Sequence, residues 1–380
     1  MTNIKNINNT KASHLFVAFL MKQALKIEMK QLILIFLLVA VCSCRSGGGR
    51  EFAHEECNGV YYWKTVFDLD TADYAFLFGH KVGRIYLRMF DVTAEVNIAE
   101  TFDAVVPNAS MRIPDDCRGV VDYLSAKQQL VPVVYVTEDA LKATAGQEGT
   151  LASLIVERVR RMCSYNEFVN VEGLQLDCDW TKTTEQSFFA LCDSARSQIA
   201  QRSLQWSLSS TIRLHQLSRK APPVDYGVLM VYNTGNFSDP DARNSIIDID
   251  DVEPYLSRLD DYPLHLDVAY PTYSWQLLFD DRRFIGLLNG VNVDDTTHFV
   301  AEGKNVHRAI CDVIYNDKVI SMGDVVRTET STFDEVIAVK DAIERRLVGR
   351  PHSNILYHLD QRNLLKYSSD EIDKLYSTDN

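Results

Sequence analysis

Basic residues are the scarce class in this chain: 39 lysines and arginines stand against 52 aspartates and glutamates in 380 residues, a net charge of -13. A nucleic-acid-binding domain presents a basic face to the phosphates, so that function is excluded and polyanions in general are poor partners. A long apolar run is missing too. The stretch at 32–42 is apolar throughout but holds only 11 residues, against the roughly 20 that a helix needs to cross a bilayer. Neither G-x-G-x-x-G nor a P-loop occurs, which removes the usual phosphate cradles. The nine histidines show no H-x-x-x-H pairing and no G-x-S-x-G elbow is present, so a metal site, a cofactor and a serine nucleophile all lack their signatures. What remains is an ordinary globular composition, 46% hydrophobic with 17 Gly and 10 Pro, able to bury a core.

The charge is unevenly placed. Residues 1–43 hold five lysines and one acid, Glu28, for a local +4, which leaves -17 on the rest of a chain whose total is -13. A basic leader ahead of an acidic exported body has this asymmetry. The apolar run follows Met29-Lys30, has the length of a signal-peptide core, and ends in Val41-Cys42-Ser43-Cys44. That ending resembles the bacterial lipobox, in which small residues precede a cysteine that is acylated and becomes the first residue; Cys44 takes that place. Arg45-Ser46-Gly47-Gly48-Gly49-Arg50 then reads as a flexible tether. The expected division is a signal peptide at 1–43, with Met29 as an alternative start, a lipid-anchored tether at 44–56 and one folded domain at 57–380. The expected location is the bacterial cell envelope, with the membrane as partner through Cys44.

Six cysteines lie in the body: Cys57, Cys117, Cys163, Cys178, Cys192 and Cys311. An oxidising compartment permits disulfides, no spacing selects a pairing, and free buried thiols are the alternative for Cys178 and Cys192.

Eight short runs rich in β-branched and aromatic residues occur at 60–68, 84–92, 130–137, 173–181, 204–212, 226–234, 264–273 and 354–360. They alternate with stretches of helical spacing at 116–128, 151–163, 184–202 and 333–347. Eight strand–helix units predict a (β/α)8 TIM barrel, whose usual length is roughly 250 residues with insertions allowed. The competing doubly wound sheet wants the Gly-rich loop that is missing. The interval 284–332 is too long for a simple connection and predicts an insertion between the seventh and eighth units, a small subdomain over the barrel mouth.

In such a barrel the working residues sit at the carboxyl ends of strands. The run Gly173-Leu174-Gln175-Leu176-Asp177-Cys178-Asp179-Trp180-Thr181 places Gln175, Asp177, Asp179 and Thr181 on one face by alternation. Two carboxylates facing inward repel, and in a partly dry mouth they raise the pKa of one partner, which is how a general acid is made. Asp177 and Asp179 are therefore the expected catalytic pair. The alternative is an ion-paired strand end, with Arg88 on the second strand supplying the counter-charge. Trp63, Tyr135, Tyr270, Tyr273 and Trp275, near strand ends, are candidate platforms for sugar rings if they cluster at one rim, and each taken alone reads as core. His358 and Asp360 end the last strand, where a hydrogen-bonded structural histidine is the expectation.

Gly-Leu-Gln-Leu-Asp-Cys-Asp-Trp at 173–180 resembles the fourth-strand signature of family 18 glycoside hydrolases, D-G-x-D-x-D-x-E. Met230-Val231-Tyr232-Asn233 resembles that family's M-x-Y-D, and 268–273 resembles its seventh-strand segment. The body from Tyr61-Tyr62-Trp63-Lys64 to Tyr270-Pro271-Thr272-Tyr273-Ser274-Trp275 also resembles a bacterial domain family of unknown function related to such barrels. The resemblance implies a barrel and a glycan ligand, with Tyr232 and Asn233 at the substrate alongside Trp63, Arg88, Tyr273 and Trp275. The match departs at its centre: with the motif glycines aligned, Asp179 stands where the family has its catalytic glutamate, and with Asp-x-Asp aligned that place is Thr181. Two functions follow as expectations: hydrolysis or remodelling of an envelope or environmental glycan by Asp179 as acid with Asp177 as partner, or a barrel that binds carbohydrate without turning it over.

Overall fold

The computed structural model describes residues 54–94, 105–117, 124, 126–288, 290–316 and 318–378. The expected signal peptide, Cys44 and most of the tether lie outside them, as do residues 118–123 of the helix expected at 116–128; its first turn is a 3-10 turn at Asp115–Cys117.

The barrel strands are β1 (Asn58–Tyr62), β2 (Val82–Ala94), β4 (Gln129–Val136), β5 (Gly173–Asp177), β6 (Ser207–Arg213), β7 (Tyr226–Met230), β8 (Leu266–Pro271) and β16 (Asn354–Tyr357). β3 (Val105–Asn108) adds antiparallel to the end of β2. The order β1-β16-β8-β7-β6-β5-β4-β2, with β1 also paired to β2, closes a ring of eight parallel strands. The helices between them include α1 (Thr71–Gly79), α2 (Glu138–Ala143), α3 (Glu148–Tyr165), α4 (Glu185–Gln201), α5 (Ile249–Leu256) and α6 (Phe333–Leu347). Two short helices, α7 (Gln361–Leu364) and α8 (Ser369–Tyr376), end the described chain. This is the expected (β/α)8 architecture.

Period and capping account for the elements. In α3 the apolar side chains Leu151, Ala152, Ile155, Val156, Val159 and Cys163 recur at helical spacing and are the buried ones. α4 buries Phe188, Leu191, Cys192, Ala195 and Ile199 in the same way. α6 starts where Thr332 and Glu335 form a capping box, so its bounds match the sequence expectation. In the strands the outward residues join the helices in one core, for example Val60 and Tyr62, Ile85 and Leu87, Leu174 and Leu176, Leu229 and Val231. Trp180, fully buried, packs against Phe188 and Phe189 just beyond β5. Withdrawing each such large side chain from water stabilises the fold by about 1.5–3 kcal/mol.

The inward residues are unusually polar. Tyr61 Oη donates to Gln175 at 2.7 Å, and Gln175 Nε2 reaches Ser209 at 3.4 Å. At the strand starts, fully buried Arg84 donates Nε to Gln129 and Glu172 and lies 3.7 Å from Asp267. It thereby ties β2, β4, β5 and β8 together.

The insertion lies between β8 and α6 but begins ten residues earlier than the spacing predicts, at β9 (Ser274–Asp280). Apolar residues go on recurring at Tyr273, Trp275 and Leu277, which hid the boundary. Four further strands complete a sheet ordered β10-β9-β15-β12-β11: β10 (Arg283–Leu288), β11 (Phe299–Ala301), β12 (Val306–Ala309) and β15 (Val325–Thr330). A separate hairpin pairs β13 (Val313–Tyr315) with β14 (Lys318–Ile320). The insertion has a small core of its own, with Leu278, Leu288, Val291, Phe299, Ile320 and Val326.

All six body cysteines are free thiols, with Cys163, Cys178 and Cys192 buried. Burial pushes the Cys163 thiol up to about 12. No helix among the described residues is long and apolar enough to cross a membrane.

Candidate functional site at the barrel mouth

β5 ends at Asp177, four residues short of the expected strand, because the chain turns away into the connection that leads to α4. Alternation holds within the strand, so Asp177 faces inward and is 3% exposed. Asp179 lies beyond the strand and its side chain is 53% exposed. The two carboxylates meet on a third residue, Arg213, at the end of β6. Its Nη2 donates to Asp177 Oδ1 at 3.0 Å and its Nε to Asp179 Oδ1. Thr211, two residues back on the same inward face, donates its hydroxyl to Asp177 Oδ1 at 2.6 Å.

The counter-charge thus comes from Arg213 and not, as expected, from Arg88. A shift in the β2 ladder between Arg88 and Phe90 turns Arg88 onto its neighbour Asp91, whose Oδ1 accepts from its Nε at 3.0 Å. The Arg88 guanidinium lies over the Trp63 ring, 5.2 Å from its centroid. The expected mutual repulsion of the two acids is also a minor influence. Burial raises the Asp177 carboxyl above its usual value, Arg213 and Thr211 pull it back, and Asp179 contributes less than these. Arg213 keeps its charge although burial opposes it, because both carboxylates and the nearby Tyr232 favour the cation.

Beside this triad the mouth is lined with rings. Tyr357, at the end of β16, stacks on Tyr232 at 4.3 Å between centroids and touches Tyr61, Trp63 and Tyr273 at 5.5, 5.7 and 6.0 Å. Tyr273 meets Trp275 edge-on at 5.7 Å, and Trp275 meets Phe237 at 6.2 Å. Tyr273 Oη donates to Asn233 Oδ1 at 2.5 Å, and Asn233 holds the left-handed conformation with φ 52°. Asparagine tolerates that region better than most residues.

A cavity of about 440 Å³ opens among these groups. Of the expected substrate-binding residues, Tyr232, Asn233, Tyr273 and Trp275 line it, with Tyr357, His358 and Asp360 opposite. Trp63 stands behind Tyr357. Arg88, Asp177 and Asp179 are not part of this wall. Tyr135 lies on the Asp177–Asp179 side, where burial and the two acids raise its hydroxyl to about 12. Tyr270 belongs to the outer core against the helices and is no platform. Burial lowers the pKa of the His358 imidazole, and Asp360 caps α7 by accepting from the backbone of Arg362.

Arg213, Tyr357 and Glu329 were not singled out in the sequence. Arg213 falls one residue past the predicted end of its strand. Tyr357 lies inside the eighth predicted run, and the strand-end rule alone would have flagged it. Glu329 is a buried carboxylate on β15, 2% exposed; it accepts Trp275 Nε1 at 2.7 Å and Ser245 Oγ at 2.5 Å, with Arg327 Nε 2.8 Å away. Arg327 in turn donates to the carbonyl of Asp239 at 2.8 Å, so this pair orients the Trp275 wall and the Phe237 loop together. Glu329→Leu, which leaves Arg327 buried without its partner, is expected to lower stability by about 3–5 kcal/mol and to shift the tryptophan emission, read by chemical denaturation and fluorescence. A change within about 1 kcal/mol would show that the pair does not carry this wall.

No protein-family model matches the chain, and no curated protein matches it. Solved structures do. The spore cortex-lytic enzyme SleL of Bacillus cereus superposes with a TM-score of 0.51 at 10% identity, over 85% of this chain and 74% of that one. A chitinase from Chromobacterium violaceum gives 0.47 at 13% identity, over 84% and 98%. A family 18 N-acetylglucosaminidase from Paenibacillus barengoltzii gives 0.46 at 10%, over 84% and 100%. The chain is a (β/α)8 barrel. Its similarity to family 18 glycoside hydrolases is distant and is a likeness of fold.

Proposed function

We propose that this protein is an exported lipoprotein, anchored to the bacterial envelope through Cys44, whose barrel binds a glycan at the aromatic mouth without hydrolysing it. The observation that carries the second half is Arg213. A general acid must present a free carboxyl oxygen to the scissile oxygen, and an oxygen that accepts from a guanidinium is already engaged. Asp179, which takes the place of the family's glutamate when the motif glycines are aligned, accepts Arg213 Nε on its Oδ1. Asp177 is buried beneath it on the same arginine. The wall of Tyr232, Tyr273, Trp275 and Tyr357 meanwhile offers apolar ring faces and a few hydroxyl and amide groups, the mixture that packs against a sugar and orients it. Net charge within the cavity is low, which favours a neutral glycan.

One observation favours the hydrolytic reading, with Asp179 as acid and Asp177 as its partner: burial raises the Asp177 carboxyl, as a proton-holding group requires. A broad glycan panel, assayed for both binding and product release, separates the two. Binding without turnover in the native chain, and the same binding in Asp177→Asn and Asp179→Asn, is the expected result. Turnover that either substitution abolishes would make the protein an enzyme.

A further inference from the structure

The described body begins at the barrel end opposite the mouth. The carbonyl of Glu55 accepts from Arg84 Nη2 at 3.0 Å, and its carboxylate accepts from Gln129 Nε2 at 3.3 Å. Arg84 and Gln129 stand at the starts of β2 and β4. Two residues on, the backbone N–H of Cys57 donates to Ser353, just before β16. Because all eight barrel strands run parallel, their starts share one face of the molecule.

That face exposes apolar side chains. Phe78 near the end of α1, Tyr165 at the end of α3, Val169 in the connection to β5 and Val348 after α6 are 43%, 71%, 72% and 76% exposed. All four lie in or beside the connections that lead from a helix into the next barrel strand. Exposed Lys81, Lys127 and Lys220 stand in the same set of connections. Exposed Glu167, Asp260 and Asp261 stand there too.

We propose that the strand-start face of the barrel is a membrane-contact surface, with Phe78, Tyr165, Val169 and Val348 resting in the headgroup region of the bilayer and the mouth turned away from it. This rests on the reading of Cys44 as the anchor. Ten residues lie between Cys44 and Glu55, a reach of at most about 40 Å when fully extended and about 20 Å as a coil. The face through which the tether enters is therefore the first to meet the lipid. Apolar contact acts in the same direction there.

The test uses the full chain, produced and acylated in a bacterial host and reconstituted in phosphatidylethanolamine–phosphatidylglycerol vesicles. Val169→Cys and Leu365→Cys variants are labelled with a membrane-impermeant maleimide on vesicles and in detergent; Leu365, 80% exposed, stands beside α7 on the mouth side. Labelling at 169 is expected to slow about fivefold or more on vesicles, with the rate at 365 unchanged. Tyr165→Cys gives the same readout should Val169→Cys fold poorly. Equal rates at both faces, or slowing at 365 alone, would overturn the orientation. Palmitate incorporation, compared with Cys44→Ala, reports the anchor separately: uptake at Cys44 without protection at 169 defeats this surface and leaves the anchor standing, whereas no uptake removes both.

Discussion

Arg213→Met is expected to lower the stability of the barrel by about 3–5 kcal/mol, roughly 10 °C in Tm for a domain of this size. The substitution keeps much of the side chain's volume but leaves Asp177, 3% exposed, with only Thr211 as a strong partner. The cost falls on the uncompensated buried charge, so it should depend on pH. In the native chain the Asp177 carboxyl already lies above its usual value, and loss of the arginine raises it further. A carboxyl raised in the folded state favours folding as it takes up its proton, so the deficit should be largest near neutral pH and shrink as pH falls through the raised value. Asp177→Asn in the same background should recover most of the loss, since it removes the charge that the arginine balanced. Urea denaturation of the single and double variants at two pH values measures this. A pH-independent deficit, or an asparagine variant that fails to recover, would mean that Arg213 acts through packing alone.

Tyr357→Ala is the substitution expected to harm ligand binding most. Tyr357 touches Tyr61, Trp63, Tyr232 and Tyr273, so its removal both deletes one ring face and loosens the others. Aromatic contacts of this kind contribute about 0.5–1.5 kcal/mol each beyond area burial. Losing two or more should weaken binding by about tenfold to a hundredfold. Tyr357→Phe keeps the faces and should stay within about twofold of the native affinity. Calorimetry with an oligosaccharide selected on the panel decides between the outcomes. Undiminished affinity in Tyr357→Ala would place the ligand away from this cavity.

The contrast between what could be read from the residues and what could not follows from which interactions are local. Strand alternation is a local property, and it placed Gln175 and Asp177 inward and Leu174 and Leu176 outward. Helix periodicity and capping likewise placed α4 and α6. The pairing of Asp177 and Asp179 with Arg213 depends on how β5 and β6 lie side by side, where Gln175 sits opposite Ser209 and Leu176 opposite Ser210. That register has no signature within either segment. Arg88 was the plausible counter-ion by position, but the shift in the β2 ladder redirected it to Asp91. The early start of the insertion escaped notice because a buried barrel strand and a buried insertion strand look alike when only Thr272 and Tyr273 separate them.

Closure of the ring sets an order on how the chain must fold. β1 pairs with β2 on one side and with β16 on the other, and the ladder to β16 joins Gly59 to Ile355. Tyr376 Oη on α8 then donates to the carbonyl of Gly59 at 3.1 Å. Contacts so distant along the chain are slow to form, because the intervening loop entropy must be overcome first. Until the last strand arrives, β1 and β8 remain open edges, which invite pairing between chains. Removal of the residues from Asn354 onward would therefore yield an aggregating fragment and not a smaller barrel, and a chain synthesised from its amino terminus reaches its native form only after its final segment has emerged.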